Sequence, residues 1–125
     1  MKFQEQKIKG VWVVEAEIAK DFRGELYRNY CQNEYTKMGL DASIVQTNIS
    51  ENCKMHTLRG LHYQVKPYEE NKIVTCIKGA IYDVVVDVRP DSETYLEWVS
   101  FELTAEDRLS IYVPKGCAHG YITLK

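Results

Sequence analysis

The amino-acid sequence predicts an all-β domain, a sandwich or barrel of short strands. Three observations carry this. β-branched and aromatic residues gather in short runs, and the best of them, residues 80–89, alternates with the two-residue period of a strand. Gly, Pro, Asp and Asn punctuate the chain closely, as in Asp21-Phe22-Arg23-Gly24, Pro90-Asp91-Ser92 and Pro114-Lys115-Gly116. No stretch sustains a long helical period, and there is no internal repeat. At 125 residues the chain is read as one domain over residues 1–125, large enough for a single core.

Taken in order, residues 7–18 are β-branched and partly alternating, and are expected to form a strand. Asp21-Phe22-Arg23-Gly24 is a turn in which Gly24 takes the positive-φ position. Residues 25–30 are expected as a strand, followed by a short helix over 32–38. Residues 43–50 (Ser-Ile-Val-Gln-Thr-Asn-Ile-Ser) are expected as a strand with Gln46 and Asn48 on the same face. A polar connection, 51–56, leads into Leu58-Arg59-Gly60-Leu61-His62-Tyr63-Gln64. As a regular strand this segment places Leu58, His62 and Gln64 on one face and Leu61 and Tyr63 on the other. Gly60 inside it marks a bulge or a close approach by a ligand.

Residues 65–71 form a loop, 72–78 a strand ended by Gly79, and 80–89 the clearest strand in the chain. There Ala80, Tyr82, Val84, Val86 and Val88 make an apolar face; Asp83, Asp87 and Arg89 lie on the opposite, charged face with Ile81 and Val85. Strands are also expected over 95–103 and 109–113. A last one starts at Tyr121, where the sequence stops partway into the pattern and is expected to leave an uncovered edge.

The net charge of -2 gives no basic footprint for nucleic acid. No apolar run approaches the roughly 20 residues of a membrane span, and the first residues lack the apolar stretch of a signal peptide. The four cysteines, at 31, 53, 76 and 117, form no Cys-x-x-Cys pair, so neither a zinc site nor a disulfide framework is expected. Reduced thiols in a cytoplasmic protein account for them most simply.

His62 is the first candidate for chemistry, because an imidazole titrating near neutrality is a general base in waiting. For an isolated histidine the bland reading, a core residue satisfied by backbone, is the stronger. Its company changes the weighting: Arg59 before it, Lys72 after it, and a second histidine in Gly116-Cys117-Ala118-His119-Gly120. Lys72 is either a solvated strand-edge lysine or a cation for a developing enolate. Arg23 and Arg59 are either surface charges or anion contacts, Arg59 being suited to bidentate phosphate binding. Two histidines without a third ligand, and with Tyr63-Gln64 in place of a His-x-His pair, argue against a metal.

Together, Arg23-Gly24, Gln46-Thr47-Asn48-Ile49-Ser50, Leu58 to Gln64, Lys72, Asp83 to Arg89 with Ser92 and Thr94, and Pro114 to Gly120 resemble the dTDP-4-dehydrorhamnose 3,5-epimerase family. The pieces come in family order across most of the chain. The resemblance implies a metal-free, cofactor-free cupin-type jelly roll, here incomplete at its C-terminus, that works as a homodimer. Its expected partner is a small-molecule nucleotide sugar, with no nucleic acid or membrane involved. The implied chemistry is epimerisation at C3 and C5 of a nucleotide-linked 4-keto-6-deoxyhexose. In it His62 matches the family's base and Lys72 the enolate-stabilising lysine. Arg23, Gln46, Asn48, Arg59 and His119 match positions that hold the nucleotide sugar.

The chain departs from the family at Arg28, where a carboxylate is usual. The family's proton-donating tyrosine and its histidine-orienting aspartate also lie beyond the position of Lys125. Two alternatives therefore stay open: epimerisation at one carbon or ketoisomerisation on a related sugar nucleotide, and a catalytically silent sugar-nucleotide-binding module.

Overall fold

The computed structural model describes residues 1–125 with the exception of Ala42. It is built almost wholly of antiparallel strands: β1 (Lys2–Glu5), β2 (Trp12–Glu15), β3 (Ile18–Asp21), β4 (Gly24–Tyr27), β5 (Leu58–His62), β6 (Lys72–Thr75), β7 (Ala80–Asp87), β8 (Trp98–Thr104), β9 (Leu109–Val113) and β10 (Cys117–Thr123). A short helix, α1 (Gln32–Lys37), lies between β4 and β5. One sheet runs β1-β2-β9-β6, the other β5-β10-β7-β8, and β3-β4 is a separate hairpin. The all-β expectation holds, with two sheets packed face to face in the jelly-roll manner.

The core forms where the inner faces of the two sheets meet. Ile111 and Val113 of β9, with Ile8 and Val11, pack against Val85, Leu103 and Cys117 of the second sheet. Each of these side chains is at most 5% exposed, so the apolar surface removed from water is what joins the sheets. The first sheet is also covered outside. There Tyr35 of α1 packs on Val14, Leu40 and Tyr112, with Phe3 meeting its ring edge-on at a centroid distance of 5.1 Å. One aromatic therefore docks a helix too short to persist alone.

The turn at 21–24 closes a two-residue hairpin in which Gly24 has φ +136°, as its position required. The helix and the core of the strands at 58–64, 72–78 and 109–113 also fall where expected. Four expectations are corrected. Residues 7–18 are not one strand: a turn at Gly10, with φ +89°, precedes β2, and β3 starts only at Ile18. Residues 43–50 form no strand, and Val45 and Ile49 are 94% and 81% exposed. Their β-branched side chains fit a pleated surface, but they pair with no described strand. Strand β8 begins at Trp98 rather than Tyr95, because Leu96, at φ +68°, turns the chain first. The last strand begins at Cys117 rather than Tyr121, so His119 sits within a strand.

The faces of β7 are also reversed relative to expectation. Asp83, Val85 and Asp87 are fully buried, whereas Tyr82 of the apolar face is 37% exposed. Burying the carboxylates is tolerable because each has internal partners. Asp87 accepts hydrogen bonds from Arg89, Ser92 and Thr94, and Asp83 pairs with His119. Burial alone would push Asp87 up, but those donors outweigh it and hold the carboxyl well below the usual carboxylate range.

Candidate active site

Strand β10 is central to its sheet, with β5 on one side and β7 on the other. On the β7 side the register opposes His119 to Val85 and Tyr121 to Asp83. On the β5 side it opposes His119 to His62 and Tyr121 to Arg59. One residue separates His119 from Tyr121, but two separate Arg59 from His62, so β5 bulges at Gly60-Leu61 opposite Gly120. Strict alternation would send Arg59 and His62 to opposite faces. The bulge shifts the phase and puts both on the inner face, beside Tyr121 and His119.

Glycine makes the bulge possible. Gly60 has φ +106°, and a Cβ there would stand 2.7 Å from the Cα of Gly120 and 2.8 Å from the carbonyl oxygen of His119. Gly120 is equally constrained: its Cβ would meet the carbonyl oxygen of Arg59 at 2.8 Å. Two glycines crossing at contact distance thus hold the histidines opposite each other. The expected bulge is present, and what approaches Gly60 closely is the backbone of β10.

The two histidines differ in setting. His119 is 9% exposed, and its Nε2 is hydrogen-bonded to Asp83 Oδ2 across 2.6 Å. Burial raises the Asp83 carboxyl above the usual range, opposed in part by the bond from His119. Its other oxygen, Oδ1, is buried without a hydrogen-bond partner among the described residues. His62 is exposed, and no described residue hydrogen-bonds to its imidazole. Arg59 is exposed as well and donates from Nε to Asn52 Oδ1 at 2.6 Å.

Lys72 opens β6 in the other sheet, opposite Val113. It shares the strand face of Val74, whose partner Ile111 lies in the core, and that face looks toward the second sheet. Its Nζ is 3.5 Å from Glu70 Oε1, and the side chain is 30% exposed. Lys72 and the His62–His119 pair therefore belong to the inward faces of opposing sheets. Arg23 lies apart in the β3-β4 turn, paired with Asp21 at 2.7 Å. Gln46 and Asn48 lie in the exposed segment without strand structure. The fold thus groups Arg59, His62 and His119 on one sheet, while among the described residues no hydrogen bond or ion pair joins Arg23, Gln46 or Asn48 to them.

Residues 5–125 match the family model described as dTDP-4-dehydrorhamnose 3,5-epimerase. The chain belongs to this family. An epimerase of that name from Sinorhizobium fredii (strain NBRC 101917 / NGR234) is 40% identical over 125 residues, 100% of this chain and 64% of the relative. The crystal structure of the Elizabethkingia anophelis NUHP1 epimerase superposes with a TM-score of 0.95 at 37% identity, over 100% of this chain and 68% of that one. The Legionella pneumophila Philadelphia 1 dTDP-6-deoxy-D-glucose-3,5-epimerase, in complex with dTDP-4-keto-L-rhamnose, gives 0.92 at 33% identity, over 99% and 65%. The fold is accordingly the cupin-type β-fold of this family. The chain spans 64% of the length of the Sinorhizobium relative it matches.

Two elements of the site escaped the sequence reading. Asp83, expected on the charged face of β7, shares that face with Val85, and the face turns inward. The cluster of Ser50, Asn52 and Tyr121 joins residues about 70 positions apart and left no local signal. Among the described residues no group of three His, Cys, Asp or Glu could hold a metal, and no helix is long and apolar enough to cross a membrane.

Proposed function

We propose that the protein acts on a nucleotide-linked 4-keto-6-deoxyhexose, moving protons at C3 and C5 as a 3,5-epimerase of the dTDP-rhamnose type. The observation that carries this reading is the pairing of His62 with His119 on an inner sheet face that also bears Arg59, faced by the sheet of Lys72. The 4-keto group makes the adjacent C–H bonds acidic. His62 takes a proton from one face of the sugar, and the electron pair moves to the carbonyl oxygen as an enolate. The ammonium of Lys72 stabilises that charge, and a proton returned to the opposite face completes inversion.

Arg59 contacts the diphosphate in this reading, and His119, held by Asp83, binds the sugar end. Arg23, Gln46 and Asn48 complete the grip on the nucleotide. A homodimer belongs to the same reading, supported by the β3-β4 hairpin, where Phe22 and Leu26 are 98% and 76% exposed. The four unpaired cysteines fit a reducing, cytoplasmic setting.

One observation favours a second reading. No described carboxylate hydrogen-bonds to the His62 imidazole, and an unoriented imidazole is a less effective general base. A sugar-nucleotide-binding module without turnover is consistent with that. The test is incubation with dTDP-4-keto-6-deoxyglucose in deuterated buffer, following C3 and C5 exchange by NMR. Under the first reading the wild type exchanges, and His62→Asn lowers the rate by about 10²-fold or more with binding retained. Unchanged exchange in His62→Asn would remove His62 as the base. Saturable binding with no exchange by the wild type would establish the binding module.

A further inference from the structure

Arg59 does not stand free on its strand. Its Nε–H donates to Asn52 Oδ1 at 2.6 Å. That bond fixes the amide of Asn52, because guanidinium nitrogens only donate and the oxygen must face them. The Nδ2 group of Asn52 consequently points the other way, donating to Ser50 Oγ at 3.4 Å and to the Tyr121 phenol oxygen at 3.3 Å. Ser50 Oγ and the Tyr121 oxygen are themselves 2.7 Å apart. Tyr121 lies directly across the β5-β10 ladder from Arg59, and its ring is 6.3 Å from that of His119. Four side chains from two strands and the preceding connection thus close one polar circuit.

We propose that Asn52 and Tyr121 are positioning residues that set the guanidinium of Arg59 for a nucleoside diphosphate, an inference that rests on the sugar-nucleotide reading above. Binding through Nε leaves both terminal NH2 groups of Arg59 for the ligand. Those groups form the edge that makes two parallel bonds to a phosphate. Without the clasp, an arginine at this exposed position samples many rotamers, and ordering it is charged against binding. The clasp has a second consequence for the site. Residues 43–50 have no strand ladder, so the bond between Tyr121 and Ser50 ties the segment of Gln46 and Asn48 to the central strand.

The test compares the wild type with Asn52→Ala, Asn52→Asp, Tyr121→Phe and Arg59→Ala. Binding of dTDP and thymidine is measured by calorimetry, and the arginine Nε–H resonance of Arg59 is followed by NMR. We expect Asn52→Ala to weaken dTDP about tenfold and Tyr121→Phe to weaken it about threefold, with thymidine affinity changed less than twofold. Asn52→Asp keeps an acceptor for Nε and restores most of the dTDP affinity. The Arg59 Nε–H signal exchanges slowly with water in the wild type and rapidly in Asn52→Ala. Tyr121→Phe removes a single oxygen and retains the ring, so its effect is not one of misfolding. If Arg59→Ala weakens dTDP while Asn52→Ala and Tyr121→Phe do not, the clasp is overturned and the diphosphate site stands. If the wild type binds no dTDP, the sugar-nucleotide reading falls and the proposal falls with it.

Discussion

Replacing Gly60 by alanine tests the geometry that sets His62 opposite His119. Two costs add. An L-residue at φ +106° is strained by about 2 kcal/mol. The new methyl would also lie 2.7 Å from the Cα of Gly120 and 2.8 Å from the His119 carbonyl oxygen, both backbone atoms of the central strand. Neither can rotate away as a side chain would, so the strands must separate, which costs about 2 kcal/mol more. For a chain of this size about 4 kcal/mol lowers the melting temperature by roughly 15 °C. Gly24→Ala is the control, since Gly24 has φ +136° but nothing within 4 Å of the added carbon. It bears only the torsional cost, in an exposed hairpin outside both main sheets. Thermal unfolding followed by circular dichroism should therefore separate the two variants by several degrees. A Gly60→Ala protein that melts within about 3 °C of the wild type, or together with Gly24→Ala, would refute the close-crossing argument.

Asp87→Asn should destabilise by about 3 kcal/mol, because the amide keeps one acceptor oxygen and turns an NH2 group toward donors. The pH dependence has a definite sign. The Asp87 carboxyl lies below its unfolded value, so its contribution is fully present above the ordinary carboxylate range and is lost as pH falls toward the lowered value. Urea unfolding should show a constant gap between wild type and variant from pH 7 to about pH 5, narrowing below about pH 4; a gap unchanged down to pH 2 would contradict it. Tyr35→Phe runs in the opposite direction. The Tyr35 hydroxyl is buried with no hydrogen-bond partner among the described residues, and the ring contacts to Phe3, Tyr30 and Tyr112 survive the change. Stability should hold or rise by about 1 kcal/mol, and a loss of that size would mean the oxygen is satisfied in the folded protein.

Much of the fold was legible because strands and turns are written locally. The glycine and aspartate at 21–24, the alternation of residues 80–89 and the glycine in the 58–64 strand each carry their meaning within a few residues. Residues 43–50 misled for the same reason: β-branched composition is local, whereas a strand also needs a neighbour's ladder. In β7 the period was correct and the faces were exchanged. Alternation says which residues go together, but not which set turns inward, and Asp83 and Asp87 point inward because His119, Arg89, Ser92 and Thr94 meet them there.

The site divides in the same way. The sequence alone determined an all-β chain and, through motifs in family order, the residues worth watching: Arg59, His62, Lys72 and His119. Their arrangement came from tertiary structure. The Gly60–Gly120 crossing shifts β5 by one residue and brings Arg59 to the side of His62, which no alternation rule foresees. Side-chain chemistry is a property of each residue, but which groups share a face depends on register. Register is decided only when distant backbones meet, and here two glycines let them meet closely enough.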